Sequence, residues 1–144
     1  MASSITEYNI CKKYRHDGTL DLDSNTIMAA LINPSYIPDY VNDTIFSDVS
    51  LFELPTGNGY TQGGVALNNK VVDTVKFNAS DIIFTGLGTP SPVTFRYICL
   101  YALGTLNGIP NPLIALILAD TLADITVTAS DYNLIWDNSG IATL

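Results

Sequence analysis

The chain has 144 residues, with fourteen acidic and six basic side chains, a formal net charge of −8 and one histidine. The acidic balance argues against nucleic-acid binding, which needs lysine and arginine to replace phosphate counterions, and the single histidine excludes most histidine-based metal and triad chemistry. Apolar residues make up 47% of the chain and charged residues only 14%, against about 25% in typical soluble domains, so we expect part of the surface to meet another protein and favour an assembly subunit over an enzyme.

The charge is divided unevenly along the chain. Residues 1–16 carry Lys12, Lys13 and Arg15 against one acid, a net of +2, whereas residues 17–144 carry thirteen acids and three basic residues, a net of −10. We therefore predict a basic N-terminal arm or short helix over 1–16 and a single β-rich domain over 17–144. The three basic residues are candidate contacts to an acidic partner, with a solvated segment as the alternative.

The first half of the chain contains few helix signals. Apolar residues at Ile5, Tyr8 and Cys11 are compatible with a short N-terminal helix. Residues 25–32 predict a strand that ends at an Asn-Pro pair. Residues 40–54 predict a short helix or an ordered loop, and the Pro- and Gly-rich residues 55–59 interrupt the chain.

The second half reads as a series of strands. Residues 70–77 predict one alternating strand, and residues 81–84 continue it after a turn. Residues 93–102 predict a central strand, because both of its faces carry apolar side chains, and the apolar run 112–118 is expected to pair with it as a hairpin. Short strands are predicted at 125–129, 132–136 and 141–144, with a turn at 138–140 between the last two.

These elements predict an all-β fold, a mainly antiparallel sandwich or barrel, with a short helical segment near 40–54. A second short helix at the N-terminus is compatible with the pattern. The most apolar run, residues 113–119, is far shorter than the roughly 20 residues that a membrane span needs. No membrane partner is therefore expected. The N-terminus shows no signal peptide, so we expect synthesis in the cytoplasm.

No cofactor, metal or catalytic residue is predicted. Residues 21–25 resemble the start of a calcium loop, but Thr26 and Ile32 stand where that loop needs glycine and glutamate. The glycine-rich residues 57–64 lack the third glycine of a dinucleotide fingerprint and the Lys of a phosphate loop. Cys11 and Cys99 are open to either a disulfide or, the favoured alternative, two free thiols.

Two neighbouring blocks, F-S-D-V-S-L-F-E-L at residues 46–54 and G-N-G-Y-T-Q-G-G-V-A-L at residues 57–67, resemble a pattern found in small virion structural proteins of tailed bacteriophages. Residues 20–27, 95–101 and 112–115 follow that pattern in the same order. The resemblance covers the chain from about residue 8 to the end. The apolar turn at residues 103–110 departs from the polar turn expected there.

The resemblance implies a non-enzymatic virion protein, found on the capsid surface after synthesis in the host cytoplasm. The favoured hypothesis is a decoration or cement protein that binds the major capsid protein, bridges its subunits and forms a homotrimer. Alternatives are a tail or neck component, such as an adaptor or tail-tube protein, and a carbohydrate-binding module that uses Tyr60 or Trp136. Removal of residues 1–16 is expected to abolish capsid binding, and the candidate contact residues are Lys12, Lys13, Arg15, Phe46, Asp48, Tyr60, Leu106 and Ile109.

Overall fold

The computed structural model describes residues 4–120, 123–136 and 140–143, so two residues of the predicted turn at 138–140 lie outside the described ranges. Strands dominate these ranges, and the predicted mainly antiparallel β fold is confirmed. The chain begins with strand β1 (Ser4–Glu7) and helix α1 (Asn9–His16). The later strands are β2 (Ile27–Ile32), β3 (Val65–Ala66), β4 (Val71–Val72), β5 (Lys76–Asn78), β6 (Ile82–Leu87), β7 (Val93–Phe95), β8 (Tyr97–Ala102), β9 (Thr105–Leu106), β10 (Ile109–Pro110), β11 (Leu113–Leu118), β12 (Ile125–Val127), β13 (Ser130–Leu134) and β14 (Ala142–Thr143).

The largest sheet has five antiparallel strands in the order β1-β11-β8-β2-β3. Strand β8 therefore lies at its centre, and its predicted hairpin with β11 is confirmed. The turn between them carries its own short hairpin, β9 with β10. The other strands form the small antiparallel groups β14-β5-β4, β13-β6 and β12-β7.

Both faces of the five-stranded sheet are buried. Alternate residues of β8 point to opposite sides, so Ile98 and Leu100 lie in one apolar cluster and Cys99 and Tyr101 in another. The first core lies between this sheet and the small strand groups, which contribute side chains such as Phe77. The second core lies on the opposite face. A sandwich-like arrangement with a second covered face explains why the central strands are apolar on both sides.

Two predicted strands are in fact divided. Residues 70–77 form the β4–β5 hairpin, because the carboxylate of Asp73 accepts hydrogen bonds from the amides of Val75 and Lys76 at 2.7 and 2.8 Å and fixes a turn. The prediction of one continuous strand was wrong there.

Residues 93–102 divide at Arg96 into β7 and β8, which belong to different sheets. The alternating pattern predicts Phe95 and Tyr97 on the same face. The break instead places Phe95 in the first core, edge-on to Tyr132 at 5.0 Å, and Tyr97 against the second. The predicted common face was therefore wrong across the break.

The two predicted helical segments are present in shorter or different form. Residues 40–54 contain two 3-10 turns, Phe46–Asp48 and Ser50–Phe52, rather than an α-helix. Strand β1 pairs with β11, so residues 4–7 form an edge strand of the main sheet, and α1 follows it directly. The helix also contributes Cys11 and Tyr14 to the first core.

The two cysteines are free thiols buried in different cores. Cys11 belongs to the first core and Cys99 to the second, and burial raises the pKa of the Cys11 thiol to about 12. The unpaired alternative is therefore the one that the structure shows.

Candidate contact surface

The second core is covered by residues 33–54, called the covering loop below. Its two ends lie side by side, because the amide of Asn33 donates to the carbonyl of Phe52 at 2.8 Å. The loop places Tyr36, Phe46 and Val49 over the sheet, all of them buried. These residues form a hydrophobic lid, so most apolar side chains of the loop serve the fold.

Aromatic contacts hold this lid against the sheet. Phe46 stacks on Tyr101 of β8 with ring centroids 3.9 Å apart, and Tyr36 meets Tyr97 edge-on at 5.9 Å. Pairs of this kind stabilise a fold by about 0.5–1.5 kcal/mol beyond their buried area. Burial also raises the pKa of Tyr101 to about 12.

A chain of hydroxyl groups crosses the lid. The hydroxyls of Tyr8 and Tyr36 lie 2.9 Å apart, and the Tyr36 hydroxyl donates to a carboxylate oxygen of Asp43 at 2.6 Å. Burial raises the pKa of both tyrosines. The chain therefore ties the residue before α1 to the middle of the covering loop.

The covering loop contains no basic residue and four acidic ones, and each acid is engaged within the protein. Asp43 accepts from Tyr36, as described. The carboxylates of Asp39 and Asp48 accept from backbone amides of the loop, and Glu53 accepts from the segment that follows. Hydrogen bonds from the side chain and the backbone amide of Asn42 lower the pKa of Asp39. These carboxylates therefore fix the conformation of the loop.

Three large apolar side chains of the same loop point outward. Leu51 is 87% exposed, Ile37 84% and Val41 68%. Single exposed apolar residues are ordinary on protein surfaces. The rings of Tyr36 and Phe52 lie 5.5 Å apart, which brings together the segments that carry Ile37 and Leu51. We call Ile37, Val41 and Leu51 the contact surface, a candidate protein-binding site.

The glycine-rich block after the loop is held by a buried carboxylate. Glu53 accepts from the Tyr60 hydroxyl at 2.5 Å and from the Gly63 amide at 2.6 Å. The Tyr60 hydroxyl in turn accepts from the amide of Leu31 at 3.1 Å, and the Tyr101 hydroxyl donates to the carbonyl of Gly63 at 2.7 Å. This network fastens residues 53–64 to β2 and β8.

Two of the predicted contact residues prove to be internal. Phe46 is 7% exposed and Tyr60 is 3% exposed, because one stacks on Tyr101 and the other bonds to Glu53. Neither side chain is available to a partner, so their prediction as contacts was wrong. Trp136, the other proposed sugar-stacking aromatic, is 7% exposed and donates its indole N–H to the carbonyl of Ser80.

The other predicted contacts are distributed over two regions. Asp48 is exposed, but its carboxylate accepts from the amides of Thr44 and Ile45. Leu106 and Ile109 are half-buried in the β9–β10 hairpin and pack against the first core. The chain that follows this hairpin borders the covering loop, because the amide of Phe46 donates to the carbonyl of Asn111 at 2.9 Å.

The basic residues lie on α1 and differ in their surroundings. Lys12 and Lys13 are exposed. Arg15 instead forms an ion pair with Glu7, in which its Nη2 donates to both carboxylate oxygens at 2.8 and 3.2 Å, and the two side chains are only 21% and 18% exposed. Arg15 therefore contributes to the fold. Removing residues 1–16 would delete β1 and α1 with their core residues, so loss of binding by that variant would not identify a tether.

The sequence reading did not identify the contact surface itself. Ile37 directly precedes Pro38, Val41 lies within the turn at residues 40–42, and Leu51 lies within a 3-10 turn. Apolar residues beside turn formers carry a weak signal of exposure. The stronger signal is that the loop carboxylates are hydrogen-bonded within the protein, and this depends on the folded structure.

Comparison with known proteins finds no matching family model, no matching curated protein and no matching solved structure. Within the described ranges, no group of three or more histidine, cysteine or acidic side chains is placed to hold a metal ion. No helix in that part of the chain is long and apolar enough to cross a membrane.

Proposed function

We propose that this protein is a non-enzymatic virion structural protein of a tailed bacteriophage, and specifically a capsid decoration or cement protein. It binds the outer face of the shell and bridges neighbouring subunits of the major capsid protein. The observation that carries the proposal is the contact surface, where Ile37, Val41 and Leu51 are exposed on a loop whose carboxylates are internally engaged. The resemblance of residues 46–67 to phage structural proteins supports the proposal that the assembly is a phage virion.

The energetics suit a stabilising role. Full burial of one valine, leucine or isoleucine side chain contributes roughly 1.5–3 kcal/mol, so even three such residues give a useful contact when it is repeated over a shell. The low charged fraction of the chain limits the desolvation cost of such a contact. Under this proposal three copies associate around a local three-fold axis, which is a closed symmetric arrangement.

Co-sedimentation with empty shells assembled from the major capsid protein alone tests the function. We expect the protein to pellet with shells up to a fixed stoichiometry and to raise the temperature at which they disassemble, because it binds the assembled state selectively. A control with unassembled capsid subunits should show weaker binding.

Failure to pellet with shells at micromolar concentration would contradict the proposal. Assembly of the isolated protein into rings or tubes at high concentration would also contradict it and would favour a tail-tube component instead. A cement protein is expected to remain a discrete small oligomer in that experiment.

A further inference from the structure

We infer that the contact surface extends across the exposed face of α1, so that the shell site recognised by this protein is apolar with carboxylates along one side. The inference rests on the proposed function and specifies its partner's chemistry. It arises from the position of a cationic helix face directly beside the contact surface.

Contacts from α1 and from Tyr8, the residue before it, join the helix to the covering loop. The amide of Asn9, the first residue of α1, donates to the carbonyl of Tyr40 at 2.9 Å. The rings of Tyr8 and Tyr40 lie 5.4 Å apart, and the hydroxyl of Tyr14 donates to the carbonyl of Thr44 at 3.1 Å. The start of the helix is thereby held next to Val41, which is one residue beyond Tyr40.

The exposed face of α1 consists of Asn9, Lys12, Lys13 and His16, which we call the lysine stripe. Asn9 is three and four positions before Lys12 and Lys13, and His16 is four and three positions after them, so the four share one side of the helix. Cys11 and Tyr14 occupy the buried side. The stripe begins at the residue that bonds the covering loop, and Lys12 follows about one helical turn, roughly 5 Å, along the axis.

The charges around this region make the stripe the cationic part of the surface. Arg15 is paired with Glu7, and the carboxylates of the covering loop are bonded internally. Lys13 approaches Asp17 at 3.2 Å, but its side chain is 68% exposed, and such exposed pairs hold weakly. Lys12 and Lys13 can therefore meet a partner directly.

Charge complementarity then specifies the partner. A surface that meets the lysine stripe gains by presenting carboxylates there, and a surface that meets Ile37, Val41 and Leu51 gains by being apolar. Because the lysine stripe begins beside Val41, a partner docked at that end of the contact surface reaches both regions. The asymmetry also sets the orientation of the protein on the shell, since only one rotation places carboxylates under α1.

Replacing Lys12 with glutamate tests the inference. We expect affinity for empty shells to fall by about tenfold at low ionic strength, because a charge at the edge of an interface is reversed. The loss should shrink as salt rises toward 1 M, where the Debye length is about 3 Å. Lys70→Glu is the matched control, since it makes the same charge change in the segment between β3 and β4 and should alter affinity by less than about twofold.

The outcomes separate the inference from the function. If the wild-type protein binds shells and Lys12→Glu binds like Lys70→Glu, the inference is wrong while the function stands. If the wild-type protein does not bind shells, both are wrong. If Lys12→Glu changes the oligomeric state of the isolated protein and leaves shell affinity unchanged, the stripe faces a second copy and the inference is overturned. Thermal unfolding of Lys12→Glu and of the milder Lys12→Gln shows whether the fold is intact in both variants.

Discussion

Replacing Gly64 with alanine is expected to lower the free energy of unfolding by about 3–5 kcal/mol, a large part of the roughly 5–15 kcal/mol of a typical domain. Gly64 has a φ of +88°, and an added Cβ would lie 2.5 Å from the carbonyl carbon of Ala29 in β2 and closer still to its oxygen. The obstacle is the backbone of a buried strand, which cannot rotate away as a flexible side chain can. Either the glycine-rich block or β2 must move.

Gly18→Ala is the matched control for this prediction. Gly18 has a nearly equal φ of +81°, but an added Cβ there meets nothing within 4 Å. It should cost only the left-handed backbone strain, about 1–2 kcal/mol. Urea unfolding monitored by circular dichroism measures both variants. Equal losses for the two would contradict the close approach of residues 63–64 to β2.

Replacing Glu53 with alanine is expected to lower the free energy of unfolding by about 3 kcal/mol. The carboxylate of Glu53 accepts from the Tyr60 hydroxyl and the Gly63 amide, and Glu53 is only 9% exposed. Removing the acceptor leaves two donors with little access to water. Glu53→Gln keeps the shape and an amide oxygen that can accept, so a loss of about 1–2 kcal/mol is expected.

Asp131→Ala controls for the loss of a carboxylate alone. Asp131 also accepts from a backbone amide, that of Gly86 at 2.8 Å, but it is exposed. Its removal should cost less than about 1 kcal/mol, because water replaces the lost acceptor. Chemical denaturation measures both variants. A loss of stability for Glu53→Ala as small as that for Asp131→Ala would contradict the structural role of the buried network. In a double-mutant cycle, Tyr60→Phe and Glu53→Ala should be non-additive.

The sequence predicted strands β2, β8 and β11 and the pairing of β8 with β11, because those strands are buried on both faces. Strand β8 and strand β11 carry long apolar runs, which few other structures accommodate. The divisions at Asp73 and Arg96 were not predictable from alternation. One depends on a carboxylate that caps a local turn, and the other on a change of sheet that shows only in tertiary contacts.

For the candidate site, the sequence offered Lys12 and Lys13 as contacts and gave no indication of Ile37, Val41 and Leu51. Lys12 and Lys13 are exposed, because long charged side chains are costly to bury. Phe46 and Tyr60 were placed outside although they are core residues, whereas Leu51, with a similar apolar neighbourhood in the sequence, is exposed. Which of these faces water depends on distant partners such as Tyr101.

The two blocks that carry the resemblance have a structural explanation. Glu53 from the first block bonds Tyr60 and Gly63 from the second, and Gly64 allows close approach to β2. These residues are therefore needed to close the loop that presents the contact surface.

Shell affinity of the Leu51→Ser variant, compared with Ile83→Ser, tests the central claim most directly. Leu51 is 87% exposed on the contact surface, and Ile83 is 53% exposed on β6, whose inward residues belong to the first core on the other side of the main sheet. Both variants should keep wild-type stability within about 0.5 kcal/mol. We predict that Leu51→Ser weakens binding to empty shells by about tenfold or more and that Ile83→Ser leaves it unchanged; equal affinities for the two variants would contradict the account.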